Sequence, residues 1–365
     1  MNQSLSLPSG DSGERTNSER SQMKPGKPNL FWYATSELSQ DAMLCWLLSW
    51  ADDKHRGDNG ALHAVAVDFL NSIYEEAKKK APAKCQSIEI RRQECGIDIL
   101  CIVNGETAIV IEDKVGTKQH SYQLLRYKKY VEELRFSPDK ILPVYVQTGD
   151  QGDYHEVVRY GYVVYDRQDL LKVLEGEPGV AAARKSDILS SYARYLREIE
   201  DDVQSFQRLP QKDWSWGSWK GFYSKLQKAL ADGGWAYVAN PAGGFLGFWW
   251  HFLSDDECEQ YLEIEQGKLC FKIAVEDREK RVPLRDLWHE KILKECARLG
   301  VNAERPNQFG NGTYMTVAVF AGEFPVAGSD QLLDFPKTVE LLRKAERVLD
   351  AASTGTGLAP ERFRS

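Results

Sequence analysis

The sequence has no long apolar run. Across its 365 residues, no stretch approaches the roughly 20 apolar residues that a membrane-spanning helix needs. Residues 1–28 are rich in Ser, Gly, Pro, Asn and charge, and they also lack the apolar block of a secretory signal. We expect these residues to form a disordered tail, and we expect a cytoplasmic protein with no membrane partner.

The sequence also lacks paired cysteines and an excess of positive charge. The seven cysteines are odd in number and none forms a Cys-x-x-Cys motif, which argues against a disulfide framework and against a zinc site. The net charge of -7 disfavours a protein that coats nucleic acid without specificity, because phosphate binding depends on Lys and Arg. A local basic groove is still compatible with this charge.

The length favours two domains, because the chain exceeds the usual size of one. Residues 30–209 read as helix, helix, hairpin, helix, strand, strand, helix, which predicts an α/β domain with a mixed sheet flanked by helices. Residues 214–352 begin with an amphipathic helix and continue as turn-separated strands, which predicts a smaller α+β accessory domain with an antiparallel sheet. We expect a linker at Leu209–Asp213 and a loose tail at 353–365.

The segment Ser87–Tyr130 carries acids where an ordinary strand would not. Asp98 interrupts the apolar sequence GIDIL, and Glu112 and Lys114 end the apolar sequence AIVIEDK. The predicted elements of this region are strands at Ser87–Arg92, Gly96–Val103 and Thr107–Val115, followed by a helix from about Gln119 to Phe136.

Two acids close to one point suit the hydrolysis of a phosphodiester. A hard divalent cation held by carboxylates supplies a nucleophilic water and stabilises the charge that develops on the phosphate. Asp98 and Glu112 lie on neighbouring predicted strands, and Lys114 shares a strand face with Glu112. Alternatively, the two acids are exposed edge charges and Lys114 is a surface partner of one of them. The apolar neighbours favour the first interpretation, because charges on interior strands are costly unless they are paired or metal-bound.

The register of the predicted hairpin tests this interpretation. A strict two-residue loop at Asn104-Gly105 would pair Asp98 with Ile111 and send Glu112 to the opposite face of the sheet. The site therefore requires a three-residue loop or a β-bulge that shifts the register by one residue.

The ordered set GIDIL, IEDKV and QLLRY resembles the PD-(D/E)XK nuclease superfamily. Its pattern of Gly-hydrophobic-Asp, Glu-x-Lys and Gln-x-x-x-Tyr is similar to the bacterial RecB-like and λ-exonuclease-like branches, and SELSQDAMLCWLLSWAD resembles the opening helix of one bacterial branch. The resemblance covers Phe31 to Phe206 and implies a restriction-endonuclease-like fold. The leading Pro of the superfamily's name is absent.

The resemblance also implies roles for individual residues. Asp98 and Glu112 would bind Mg2+ or Mn2+, and Lys114 would position the attacking water or stabilise the phosphate. Asp113, between Glu112 and Lys114, could supply a third carboxylate that is not part of the pattern.

Other residues would support this centre from two helices. Glu37 would be an outer acid of the metal site, and Asp41 is the alternative for that position. From the helix after the strands, Gln123 and Tyr127 would steady the metal site or the DNA backbone.

Basic residues near this helix form a predicted nucleic-acid-binding strip. The residues are Lys118, Arg126, Lys128 and Lys129. Such a strip can face phosphates, and the alternative is a solvated helix face.

The resemblance implies a Mg2+- or Mn2+-dependent nuclease that acts on DNA in restriction, repair or antiphage defence. The alternative is a catalytically silent member that binds nucleic acid or protein through its C-terminal domain. The intact set of Asp98, Glu112 and Lys114 favours an active enzyme. A homodimer and a protein trigger stay open as partners. We interpret the tryptophans of the C-terminal domain as core residues rather than as platforms for unpaired bases.

Overall fold

The computed structural model describes residues 27–116, 123–240 and 243–354. Most of the two predicted tails, at 1–28 and 353–365, lies outside these residues, and so does Lys118. The chain divides into two compact units between Asp201 and Asp202, ahead of the predicted linker at Leu209. The division comes early because Phe206 already packs in the core of the second unit.

The first unit contains a five-stranded mixed sheet in the order β1-β2-β3-β4-β5. The first three strands pair antiparallel, whereas β3, β4 and β5 pair parallel. The strands are β1 Ile88–Glu94, β2 Ile97–Val103, β3 Thr107–Lys114, β4 Ile141–Gln147 and β5 Val163–Asp166. The predicted mixed α/β fold is thereby confirmed.

Helices cover both faces of this sheet. They are α1 Glu37–Ser49, α2 Gly60–Glu76, α3 Gln123–Glu133, α4 His155–Arg159, α5 Arg167–Glu175, α6 Glu177–Ala183 and α7 Asp187–Val203. Helices α1, α2, α5, α6 and α7 share one apolar core with odd-numbered residues of β2 and β3, such as Ile99 and Ile111. Helix α3 packs on the other face, where Tyr127 and Val131 meet the even-numbered Leu100 and Val110. Because strand side chains alternate, parity along β2 and β3 decides which face a side chain occupies.

The two tight hairpins of the sheet differ in length. Cys95 and Gly96 form the β1–β2 turn with φ of 52° and 85°, as a two-residue turn with positive φ at both positions requires. Between β2 and β3, Val103 pairs with Thr107, so the loop holds three residues, and Asn104 and Gly105 have φ of 55° and 68°. The Asn104-Gly105 pair in the sequence correctly locates this second turn, but it does not give the length of three residues that the structure has.

Helices α5 and α6 were not predicted. Helix α5 follows β5 directly, and a capping box between Asp166 and Asp169 starts it. Helix α6 has only 7 residues and begins next to Pro178. Both are too short for a clear period of 3.6, although the two aspartates were a usable signal.

The second unit is an α+β unit with a six-stranded antiparallel sheet in the order β10-β11-β9-β8-β7-β6. Its elements are α8 Trp216–Leu230, β6 Gly234–Val238, β7 Phe245–Ser254, β8 Glu259–Glu265, β9 Leu269–Ala274, α9 Arg281–Leu299, β10 Ala303–Glu304, β11 Tyr314–Phe320 and α10 Phe335–Thr354. The sequence WSWGSWKGFYSKLQKALADGG predicts a helix capped by Gly233-Gly234. Helix α8 instead ends at Leu230, and its C-cap is Ala231 with a φ of 52°.

Tryptophans form much of the core of this second unit, as predicted. Four are buried in the core and two more pack against it, namely Trp219, Trp235, Trp250 and Trp288, and then Trp214 and Trp216. The indole Nε1 of Trp250 donates to Glu346 at 3.0 Å, so its polar atom is satisfied inside the core. In the described part of the chain, no helix combines the length and apolar character needed to cross a membrane.

Candidate active site

Three charged residues end the central strand β3, and all three are buried. The relative exposures of Glu112, Asp113 and Lys114 are 0%, 0% and 6%. Strand alternation sends Glu112 and Lys114 to the face covered by α3, and Asp113 to the face covered by α1 and α7. Asp113 is therefore not a third ligand beside Glu112.

The side chains of four residues meet around the ammonium of Lys114. Its Nζ lies 2.6 Å from Glu112 Oε1, 3.8 Å from Asp98 Oδ2 and 3.6 Å from Glu37 Oε2. The residues come from three elements, with Glu37 at the start of α1, Asp98 on β2 and the other two on β3. We refer to these four residues as the acid–lysine cluster.

The register required for this arrangement is present. Ile99 pairs with Ile111, and continuing the pairing by one residue sets Asp98 opposite Glu112. The backbone N–H of Asp113 donates to Asp98 Oδ2 at 2.9 Å, which fixes the carboxylate of Asp98. Of the two alternatives that the sequence left open, a three-residue loop or a β-bulge, the structure has the three-residue loop.

Burial and mutual charge shift the proton affinities in the cluster. Burial raises the pKa of Glu112 to about 7, while the charge of Lys114 opposes this rise and that of Asp98 adds to it. Burial by itself would lower the pKa of Lys114, but Glu112, Glu37 and Asp98 outweigh it and raise that pKa above its ordinary value. Lys114 is therefore a fixed cation near neutral pH and not a general base.

The chemistry of the cluster fits a divalent cation. Glu112 Oε2 is buried and has no hydrogen-bond partner, and such an orphaned carboxylate oxygen is costly unless a cation or proton meets it. Mg2+ is usually held by one or two carboxylates and retains several waters, so Asp98 and Glu112 suffice as protein ligands. Among the described residues, no group of three His, Cys, Asp or Glu side chains is arranged to hold an ion, and the three acids of the cluster instead contact Lys114 Nζ.

Helix α3 supports the cluster through Gln123. Its Nε2 donates to Glu112 Oε1 at 2.8 Å and to the hydroxyl of Tyr127 at 2.6 Å. Tyr127 lies one turn further along the same helix and is 2% exposed. The pair connects the helix core to the carboxylate of Glu112, so Gln123 is a positioning residue for Glu112.

Replacing Gln123 with Leu should weaken metal-dependent cleavage about 10-fold, because Glu112 would lose a donor that orients its carboxylate. The metal concentration for half-maximal cleavage should rise, which a purely structural role would not cause. The matched variant Gln123→Asn shortens the side chain but keeps the amide, and partial recovery is expected. Equal cleavage and equal metal dependence in all three proteins would contradict this role.

Asp41 does not join the acid–lysine cluster. It is buried on α1, and burial together with the charge of Asp98 raises its pKa to about 6. Gln93 joins the two acids, because its Nε2 donates to Asp41 Oδ2 at 3.3 Å and to Asp98 Oδ1 at 3.2 Å. Of the two helix acids considered from the sequence, Glu37 is the one near Lys114.

Gln93 was missed in the sequence. A two-residue turn at Cys95-Gly96 pairs Glu94 with Ile97, and continuing this register places Gln93 opposite Asp98. The glycine at the turn was the available signal.

Asp113 is held on the opposite face by Gln40 of α1. Gln40 Nε2 donates to Asp113 Oδ1 at 2.7 Å, and its Oε1 accepts from the hydroxyls of Thr148 at 2.8 Å and Tyr192 at 3.3 Å. Burial raises the pKa of Asp113 well above its ordinary value. Because Asp113 separates the two cluster residues of β3, this network fixes the direction in which Glu112 and Lys114 point.

Substituting Gln40 with Leu should lower the free energy of unfolding by about 2 kcal/mol, because buried polar groups of Asp113 and Thr148 would lose their partner. Urea denaturation measures this change. The double variant Gln40→Leu with Asp113→Leu should cost less than the sum of the two single changes, because both partners are then apolar. Strict additivity would show that the contact is not energetically coupled.

The predicted basic strip is split between two sides of α3. Arg126 and Lys129 are exposed and lie three residues apart, on one side of the helix. Lys128 points elsewhere, and its Nζ donates to the carbonyl of Tyr160 at 3.1 Å. Lys118 lies outside the described residues.

Fold and site together define an α/β protein with carboxylates and a lysine gathered at the end of a central strand. Residues 28–197 match the family model of the PD-(D/E)XK nuclease superfamily. The match includes the whole five-stranded sheet and the acid–lysine cluster, and the observed mixed sheet is consistent with that fold. No curated protein and no solved structure is significantly similar to this chain.

Proposed function

We propose that the protein is a metal-dependent nuclease that hydrolyses phosphodiester bonds of DNA. The observation that carries the proposal is the acid–lysine cluster, in which one ammonium and three carboxylates converge while Glu112 Oε2 is left buried without a partner. The superfamily match over residues 28–197 supports the same activity.

Each residue of the acid–lysine cluster would have its own role in the reaction. Asp98 and Glu112 would hold Mg2+ or Mn2+, with Glu37 as the outer acid. When bound, the cation supplies a water of lowered pKa and neutralises charge on the phosphate. Lys114, which stays protonated, would contribute its positive charge to the phosphate or orient the attacking water by donating a hydrogen bond.

Several finer points belong to the proposal. DNA contact is supported by the exposed Arg126 and Lys129 on α3, the helix that also carries the positioning residue Gln123 and the supporting Tyr127. We further propose a RecB-like or λ-exonuclease-like character, supported by the Gln-x-x-x-Tyr spacing of Gln123 and Tyr127. A cytoplasmic location and a role in restriction, repair or antiphage defence are also part of the proposal. The second unit is proposed as an accessory domain, through which a homodimer or a protein trigger would act.

The test is a cleavage assay on linear, circular and single-stranded DNA with Mg2+, Mn2+ or EDTA. We expect cleavage with either metal and none in EDTA. A variant without the Lys114 ammonium controls for contaminating nucleases, because equal cleavage by both proteins would assign the activity elsewhere. Cleavage of circles would identify an endonuclease, and cleavage of linear DNA only would identify an exonuclease. No cleavage of any substrate would favour the catalytically silent alternative.

A further inference from the structure

Four lysines gather at the end of the first unit's sheet that lies opposite the acid–lysine cluster. Two neighbouring cavities of about 270 Å³ and 300 Å³ lie there, and both are lined by Lys79 and Leu142. Lys128 lines the first cavity, and Lys80 and Lys140 line the second. We refer to the two cavities together as the lysine pocket.

Backbone carbonyls fix two of these ammonium groups in place. Lys79 Nζ donates to the carbonyls of Asp139 at 2.7 Å and Ile141 at 3.1 Å. Lys128 Nζ donates to the carbonyl of Tyr160 at 3.1 Å. An ammonium has three N–H donors, so Lys79 retains one donor and Lys128 retains two for a ligand.

The charge of the pocket is not balanced by its own acids. The lining residues of the two cavities include four lysines but two acids, Glu132 and Asp139. Burial lowers the pKa of Lys79, Asp139 opposes this, and the charges of Lys128 and Lys140 add to the lowering. Cations are therefore crowded together here, in a chain whose net charge is -7.

A bound anion would relieve this crowding. A phosphate has several acceptor oxygens and matches ammonium groups that already have fixed positions. We propose that the lysine pocket binds a phosphate group, carried either by a nucleic-acid strand or by a free nucleotide. The first source rests on the proposed nuclease function, whereas the second does not.

The pocket is far enough from the cluster to be a separate site. Strands β3 and β4 run parallel, with Ala108 beside Ile141 at the pocket and Lys114 beside Gln147 at the cluster. Six strand residues separate these two levels, which corresponds to roughly 20 Å at about 3.3 Å per residue. A nucleic acid held at both places would follow α3, which carries Gln123 at one end and packs Val131 near Ile141 at the other.

The test compares two double variants with the same loss of charge, each in a full-length background that carries Lys114→Met to prevent cleavage. The pocket variant is Lys79→Gln with Lys140→Gln, and the control is Lys84→Gln with Lys185→Gln, two exposed lysines of the same unit. The probes are a labelled oligonucleotide, single-stranded and duplex, followed by fluorescence anisotropy, and ADP and inorganic phosphate, followed by calorimetry.

We expect the pocket variant to bind at least one class of probe about 10-fold more weakly than its parent, with the control within about 2-fold. For an oligonucleotide, the slope of log affinity against log salt should also fall by about two, because two phosphate contacts are lost. Loss limited to oligonucleotides identifies nucleic acid as the source of the phosphate, and loss limited to ADP or phosphate identifies a free nucleotide.

Equal losses in the two double variants, or unchanged binding of every probe, would overturn the proposal. Its failure is distinguishable from failure of the nuclease function. If the wild type cleaves DNA with metal but substitution of the pocket lysines leaves probe binding unchanged, only the proposal of a phosphate site in the lysine pocket fails. If the protein cleaves no DNA but binds ADP in a way that depends on the pocket lysines, the phosphate site is supported and the proposed nuclease function is contradicted. Melting temperatures of all variants establish that each is folded.

Discussion

Replacing Lys114 with Met should reduce metal-dependent DNA cleavage by about 10³-fold. Met keeps most of the side-chain volume but removes the positive charge that contacts Glu112, Asp98 and Glu37. Loss of one preorganised group that stabilises transition-state charge typically costs 10²- to 10³-fold. Single-turnover cleavage at saturating Mg2+ or Mn2+ measures the effect on the chemical step.

The same substitution should alter stability in a way that depends on metal. Without metal, three carboxylates would remain close together with no cation between them, so the free energy of unfolding in EDTA should fall by about 3 kcal/mol. The stabilisation by Mn2+ should be at least as large as in the wild type, because the carboxylates remain and mutual repulsion is then relieved by the ion.

Lys185→Met is the matched control for this prediction, because Lys185 is exposed in the first unit. It should change neither cleavage nor stability by more than about 0.5 kcal/mol. Cleavage by Lys114→Met within a few-fold of the wild type would exclude the proposed role of the ammonium. Loss of the Mn2+ stabilisation would instead show that the substitution disrupts the carboxylates.

Strand positions in the first unit were predictable where the apolar pattern is continuous. The nearly continuous apolar run ILPVYVQ predicts a buried strand at Ile141–Gln147. Strand β4 has these bounds and is buried on both faces. The run YGYVVY predicts a strand at Tyr160–Tyr165. Strand β5 begins later, at Val163, because Tyr160 and Gly161 belong to the turn that follows α4. Periodicity therefore located the strands, and local turns decided where they begin.

The length of the β2–β3 loop could not be read from its residues alone. Asn104-Gly105 is a strong signal for a two-residue turn, yet Glu106 joins the loop and Val103 pairs with Thr107. The chemical requirement that Asp98 and Glu112 share a face predicted the correct register. Burial of the alternating residues Ile109 and Ile111 against α1 and α7 enforces it, because a shift of one residue would place apolar and charged side chains on the wrong faces.

Partners that lie far apart in sequence were the least predictable part of the site. Gln40 and Asp113 are 73 residues apart, and nothing in either local sequence indicates that the amide would hold the acid away from the cluster. From the sequence alone, Asp113 is therefore a candidate third carboxylate beside Glu112. Its direction depends on tertiary packing of α1 against the sheet, which a single sequence does not specify.

For Glu112, unlike Lys114, the charged form that the proposed function requires lowers the stability of the metal-free protein. Its carboxylate is fully buried, its Oε2 has no hydrogen-bond partner, and burial raises its pKa to about 7. The ionised form therefore destabilises the protein when no metal is present, although a metal site requires that form. Substitutions of Glu112 and of Lys114 should consequently change the free energy of unfolding of the metal-free protein in opposite directions.

Replacing Glu112 with Gln should abolish cleavage, with a loss of about 10³-fold or more, and should leave the protein in EDTA at least as stable as the wild type at pH 8. An acid with a higher pKa in the folded state binds more protons there, so the free energy of unfolding falls as pH rises from 4.5 to about 7 and stays low above that range. In EDTA, Glu112 should therefore contribute a loss on the order of 2–3 kcal/mol between these pH values. Asp41 and Asp113, whose pKa values are also raised, add to the loss in both proteins, so Glu112→Gln should lose less than the wild type.

Thermal unfolding across pH, with EDTA and with Mn2+, measures both effects. Mn2+ should stabilise the wild type but not Glu112→Gln, because the amide cannot supply a charged ligand. Glu89→Gln on the exposed side of β1 is the control, and it should retain cleavage, the pH dependence and the Mn2+ effect. If Glu112→Gln kept the same pH dependence as the wild type, the proton would belong to another group. If it kept the Mn2+ stabilisation, the cation would bind elsewhere, and the orphaned oxygen of Glu112 would no longer support a metal site at the end of β3.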